Sequence, residues 1–126
     1  MLTTTGAFSG FSVSDQAAAL AFYRDTLGVD VVETGMGLEL RLGGDTHVFV
    51  YPKDDHVPAT YTVLNFEVSD IDAAVDELAA AGVEVLRYEG AYQDEKGIAR
   101  GKAAGMGPDI AWFTDPAGNV LSVLNN

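Results

Sequence analysis

Few side chains in this sequence could do chemistry, and their types narrow what that chemistry would be. There is no cysteine, which removes thiolate nucleophiles, thiolate metal sites and disulfides together. Imidazole is available only at His47 and His56. Asn65 and Glu67 are polar residues in the otherwise apolar run Thr62 to Val68. A carboxylate facing a dry cavity has a raised pKa and can act as an acid or base. The same Glu67 at a strand end in water does neither, and both readings stand. Lys96, Arg100 and Lys102 are three of only seven basic residues, and all lie in the stretch Glu89 to Asp109, which carries five glycines. A polar loop that long inside a compact domain is usually functional or disordered. Folded over a cavity mouth as a lid, it would let Lys96 or Arg100 grip an anionic group. Otherwise these cations are solvated.

The rest of the composition bounds the partners. The chain has 126 residues, expected to form one domain, with module one at 7–52, a connector at 53–60 and module two at 61–125. Against the 7 basic residues stand 19 acidic ones, a net charge of −12. Nucleic acid would be repelled, whereas cations and cationic ligands would be attracted. The acidity also serves solubility alone. No apolar run reaches the ~20 residues of a membrane span. Residues Met1 to Gly6 lack a basic segment followed by an apolar core, so no secretory signal and a cytoplasmic location are expected.

The elements that must position these groups repeat. A shift of 55 residues places Phe11, Val13, Ser14, Asp15, Ala18 and Ala19 on Phe66, Val68, Ser69, Asp70, Ala73 and Ala74. Each copy opens with an extended run, Phe8 to Val13 or Thr62 to Val68, followed by a Ser-Asp pair suited to capping a helix. Ser69 and Asp72 have capping-box spacing. Leu20, Tyr23 and Leu27 make an apolar stripe in the first helix, and Ile71, Val75 and Leu78 in the second. Gly28 and Gly82 stand where a left-handed C-terminal residue is needed. Three strand candidates follow each helix: Val29 to Val32, Gly37 to Leu42 and His47 to Tyr51, then Val83 to Tyr88, Ile110 to Thr114 and Asn119 to Leu124. Leu38-Glu39-Leu40-Arg41-Leu42 alternates as a half-buried antiparallel strand should. The module is βαβββ, twice, with Lys53 to Thr60 between the copies.

Two segments carry a family resemblance. Phe22-Tyr23-Arg24-Asp25-Thr26-Leu27-Gly28 resembles the "FY…LG" helix end of the vicinal oxygen chelate superfamily, and Asp115-Pro116-Ala117-Gly118-Asn119 resembles its "DPxGN" turn. That superfamily includes glyoxalase I, extradiol dioxygenases and bleomycin-resistance proteins. The resemblance covers essentially the whole chain and implies an α+β fold in which two tandem βαβββ modules form a curved mixed sheet around one cavity. It also implies homodimerisation.

In metal-using members, four inward-facing strand positions hold one divalent cation. By the resemblance, these fall on Phe8, Val63, Ser122 and Phe49, or on Val48 if the register slips by one. Phenylalanine and valine offer no lone pair, and one neutral hydroxyl cannot replace four N/O donors. The usual metal site is therefore absent and no cofactor is expected. If those positions face inward, alternation brings Gly10, His47, Tyr51, Asn65, Glu67 and Val120 with them. The expected ligand-binding set is Phe8, His47, Phe49, Tyr51, Val63, Asn65, Glu67, Trp112 and Ser122, with Lys96 and Arg100 on the lid. Phe8, Phe49 and Val63 alternatively fill the core, His47 is alternatively a partly exposed strand residue, and Trp112 either stacks on a ligand or packs inside.

Three functions are compatible with these residues. The first is a metal-independent protein that sequesters a small organic molecule, like the resistance members. The second is a glyoxalase-like lyase or related enzyme, using an unrecognised metal site or Glu67 or His47 as base with Arg100 as electrophilic stabiliser. The third is a subunit or sensor with a vestigial cavity.

Overall fold

The structure is a computed structural model that describes all residues, Met1 to Asn126. The chain divides into two compact units, Met1–Pro58 and Ala59–Asn126. Each is an α+β module with a four-stranded mixed sheet.

In the first unit, β1 (Ser9–Val13), β2 (Asp30–Glu33), β3 (Leu38–Arg41) and β4 (His47–Pro52) lie in the order β1-β4-β3-β2. β1 runs parallel to β4, and the other pairs are antiparallel. Phe11, Val13, Leu38, Leu40, Val48 and Val50 are buried and alternate with the remaining strand residues, so one sheet face forms the core. The helix begins as α1 (Gln16–Leu20), with Asp15 as N-cap accepting from the Ala18 N–H at 3.1 Å. From Ala21 to Thr26 it widens into a π-helical turn, and the Leu27 N–H bonds the Phe22 carbonyl at 2.9 Å. The widened turn directs Tyr23 wholly into the core, 5.2 Å from Phe22 and 6.3 Å from Phe11 by ring centroids. Leu20 and Leu27 are only half-buried, so the expected stripe is carried chiefly by Ala19 and Tyr23.

The second unit repeats the pattern with β5 (Thr62–Glu67), α2 (Ile71–Ala80), β6 (Ala99–Arg100), α3 (Gly101–Ala104), β7 (Asp109–Thr114) and β8 (Val120–Asn125), in sheet order β5-β8-β7-β6. Ile71, Val75 and Leu78 of α2 are buried, as are Ala111, Phe113, Leu121 and Val123 of the sheet. Gly28 and Gly82 follow the two helices at φ +74° and +80°, the left-handed geometry expected of them.

Two expectations are corrected. Asp70, not Ser69, caps α2, because its carboxylate accepts from the Ala73 N–H at 3.1 Å; Asp72 lies in the first turn. Val83 to Tyr88 does not form a strand. It is tied to the sheet backbone through the Leu86 N–H on the Trp112 carbonyl at 2.8 Å. The Gln93 side chain takes the place of a ladder there, donating to the carbonyls of Leu86 and Gly97 and accepting from the Tyr88 N–H, each at 2.8 Å. The edge of this sheet is β6 instead, paired to β7 through Ala99–Ile110 and Arg100–Asp109.

The turn before β8 is closed by its own side chains. Buried Asp115 accepts from the backbone N–H groups of Ala117 and Asn119 at 2.9 and 3.0 Å and from Asn119 Nδ2 at 3.0 Å. No helix is long and apolar enough to cross a membrane.

Candidate functional site

The face of the first sheet that turns away from α1 carries most of this unit's candidate chemistry. Because side chains alternate, His47, Phe49 and Tyr51 of β4 share it with Glu39 and Arg41 of β3 and with Gly10 and Ser12 of β1. This decides the register of β4: Val48 is buried with the core, and Phe49 stands with His47. A hollow of about 370 Å³ opens here, lined by Ala7, Phe8, Thr34, Glu39, His47, Val48 and Phe49. Phe8, His47 and Phe49 are thus brought together. Phe8 is 75% exposed, and Tyr51 stacks on Phe49 at 5.6 Å with rings 17° from parallel.

Glu39 and Thr34 complete this hollow and were not among the sequence candidates. The signal for Glu39 lay in the alternation of β3, which puts it opposite the buried Leu38 and Leu40; its neighbour across the sheet is Phe49. Glu39 Oε1 and His47 Nδ1 are 2.7 Å apart. Arg41 Nη2 lies 3.7 Å from Glu39 Oε2, an ion-pair distance beyond hydrogen-bond range. Thr34 Oγ1 is occupied within its own turn, donating to the Gly37 carbonyl and accepting from the N–H groups of Met36 and Gly37. His56 is held elsewhere, its Nδ1 2.6 Å from Ser12 Oγ, which ties the connector to β1.

In the second unit, Asn65, Ser122 and Trp112 form one rung across β5, β8 and β7. Ser122 is fully buried and donates to Asn65 Oδ1 at 2.5 Å. Trp112 meets Tyr88 edge-on at 5.3 Å. Val63 falls in the register irregularity of β5, between Thr62 and Leu64, and has no partner residue on β8. Glu67 is exposed at the strand end, with Asn126 Nδ2 3.5 Å from its carboxylate.

Lys96 and Arg100, expected on a lid, are engaged by carboxylates of their own unit. Arg100 donates to Asp72 at 2.7 and 3.1 Å and to Asp94 at 2.9 Å. Lys96 Nζ reaches Asp76 at 2.9 Å and Asp72 at 3.3 Å. The Arg100 guanidinium, helped by Lys96, holds the Asp72 carboxyl at about 2 against its ordinary 3.8. Burial works to raise Asp94, but bonds from the Ile98 N–H, Arg100 and the Lys96 N–H outweigh it and bring it down. These contacts dock the segment from Asp94 to Arg100 onto the N-terminal half of α2. Gly97 permits a close approach to the stretch 83–88, since at φ +86° an added Cβ would stand 2.5 Å from Val85 Cγ1.

The residues that the resemblance puts at metal-ligand positions do not fit a divalent ion. Phe8, Phe49 and Val63 have no donor atom, and the Ser122 hydroxyl is bonded to Asn65. Nor do three or more His, Asp or Glu side chains gather anywhere in a group able to hold one.

A family model described as the Glyoxalase/Bleomycin resistance protein/Dioxygenase superfamily matches residues 7–123. No curated protein matches the sequence. Several solved structures share the fold. A superfamily member from Sphaerobacter thermophilus is 26% identical over 99% of this chain and 100% of its own, with TM-score 0.70. An antibiotic binding protein from Streptomyces sp. CB03234 is 24% identical over 98% of each chain, with TM-score 0.64. A fosfomycin resistance protein from Listeria monocytogenes is 14% identical over 99% of this chain and 95% of its own, with TM-score 0.68.

Proposed function

Because the chain belongs to the Glyoxalase/Bleomycin resistance protein/Dioxygenase superfamily, we propose that it is a metal-independent binding protein that sequesters a small organic molecule. The observation that carries this reading is the hollow of the first unit. Exposed Phe8 and half-buried Phe49 supply apolar surface, and the Glu39–His47 pair supplies a small polar group at its wall. Few convergent polar groups in an apolar concavity are what a small-molecule site requires. The antibiotic-binding and fosfomycin-resistance proteins of the same fold support a protective role of this kind. We place the protein in the cytoplasm as a homodimer, which size-exclusion chromatography would check for the dimer.

The test is a thermal-shift screen of aromatic small molecules on metal-stripped protein. A ligand at 100 times its Kd stabilises by about 2.7 kcal/mol. Phe49→Ala should abolish the shift while the protein stays folded. Stabilisation that appears only after a divalent metal is restored would overturn the reading.

A second reading, an enzyme using side-chain acid–base chemistry, is favoured by one observation. His47 is oriented by a carboxylate, as a general base is. The other residues that such an enzyme would use lie elsewhere, Glu67 at an exposed strand end and Arg100 in the ion-pair network. Unchanged conversion of an identified substrate by His47→Ala would remove this alternative.

A further inference from the structure

The hollow of the first unit carries more than general apolar binding. Its charged wall is Glu39, whose carboxylate is hydrogen-bonded through one oxygen and only ion-paired through the other. Oε1 meets His47, while Oε2 lies beyond hydrogen-bond reach of Arg41, the nearest cation. In the neutral tautomer with its proton on Nδ1, the His47 ring donates to Glu39 and leaves Nε2 as a lone-pair acceptor. The polar atoms offered to a ligand are therefore acceptors, one of them carrying formal negative charge. Around them stand Phe8 and Phe49, with Tyr51 stacked behind Phe49. Aromatic faces attract cations. Glu39 keeps 30% of its side-chain surface exposed, which places the charge at a partly desolvated wall where it acts more strongly than in bulk water. The chain's net charge of −12 adds long-range attraction of the same sign.

We propose that this hollow selects an organic cation bearing N–H donors, its apolar body against Phe8 and Phe49 and its ammonium group on Glu39 and His47. The proposal rests on the small-molecule reading above and names the chemical class of the ligand. An anionic ligand is disfavoured by the same wall, since it would face the Glu39 carboxylate and no Lys or Arg lines the hollow; Arg41, the nearest, is ion-paired with Glu39 at 3.7 Å. Arg100 and Lys96, the cations that suggested an anion grip, are already paired with Asp72, Asp94 and Asp76.

Three probes of one shape and different charge test this: 2-naphthylmethylamine, 2-naphthylmethanol and 2-naphthoate, each titrated by calorimetry near neutral pH and low salt. The wild-type protein is expected to bind the amine at least tenfold more tightly than the alcohol and to bind the carboxylate least. Glu39→Gln keeps the side-chain shape and should bring amine and alcohol to within about twofold of each other. Phe49→Ala should weaken both. Equal binding of amine and alcohol by the wild-type chain, both lost in Phe49→Ala, would overturn the charge selection and leave the small-molecule reading intact. Tightest binding of 2-naphthoate would overturn the selection outright. Binding of none of the three would count against both. The comparison among probes on the wild-type protein needs no variant to fold.

Discussion

Replacing Asp115 by alanine should destabilise the second unit severely, although the residue lies in a turn. Its carboxylate is buried and accepts hydrogen bonds that include two from backbone N–H groups and one from Asn119 Nδ2. Asn119 is buried as well, so two of these donors would lose their acceptor away from water. A buried donor left unsatisfied costs about 1–3 kcal/mol, and bonds to a charged acceptor lie toward the upper end of the scale. Two such donors, with a smaller share for the Ala117 N–H, give a loss of about 3–4 kcal/mol. For a chain of this length, each kcal/mol moves Tm by about 3–5 °C, so Tm should fall by on the order of 10–15 °C. The assay is thermal and urea denaturation followed by circular dichroism. Asp115→Asn should cost about half as much, because its amide oxygen can keep the two backbone donors that share Oδ1 while its amide nitrogen opposes Asn119 Nδ2. A double-mutant cycle with Asn119→Ala should return a coupling of about 1 kcal/mol or more. A loss below about 1 kcal/mol for Asp115→Ala would refute the reasoning, since it would mean that the turn closes as well without its acceptor.

The docked segment of the second unit makes three further predictions. Arg100→Ala removes bonds to Asp72 and Asp94, so amide exchange over residues 93–100 should quicken several-fold while exchange in β8 is unchanged. Asp72 has a folded pKa of about 2, below its ordinary 3.8. Its contribution is therefore complete above about pH 4 and disappears as pH falls from there toward 2. Proteolysis of the same segment across that window should rise in the wild-type chain and rise less steeply in Asp72→Asn, where Asp94 is still left to lose its charge. Gly97→Ala combines a left-handed φ of +86° with a Cβ placed 2.5 Å from Val85. It should cost about 1–3 kcal/mol by urea denaturation.

What could be read from the sequence followed from local grammar. The left-handed glycines and the alternation of β3 each depend on a few adjacent residues, and each appears where expected. Val83 to Tyr88 has the same apolar pattern as a strand but is satisfied by Gln93, a side chain several residues downstream; no periodicity signals such a bond. The same limit explains Arg100. In a glycine-rich loop it resembles a free cation, and only the fold brings Asp72 of α2 to within 2.7 Å of it. Glu39 is the counterpart in the first unit. Its orientation was legible from alternation, but its partner His47 became visible only when β3 and β4 were paired in register.

The proposed function requires a hollow that binds an organic molecule without metal. Its most direct test is native mass spectrometry of protein dialysed against EDTA and then mixed with 2-naphthylmethylamine, with elemental analysis of the same sample. One bound amine per chain and no stoichiometric metal is the predicted result. A chain that retains one metal through dialysis, or takes up the amine only after metal is restored, would contradict it.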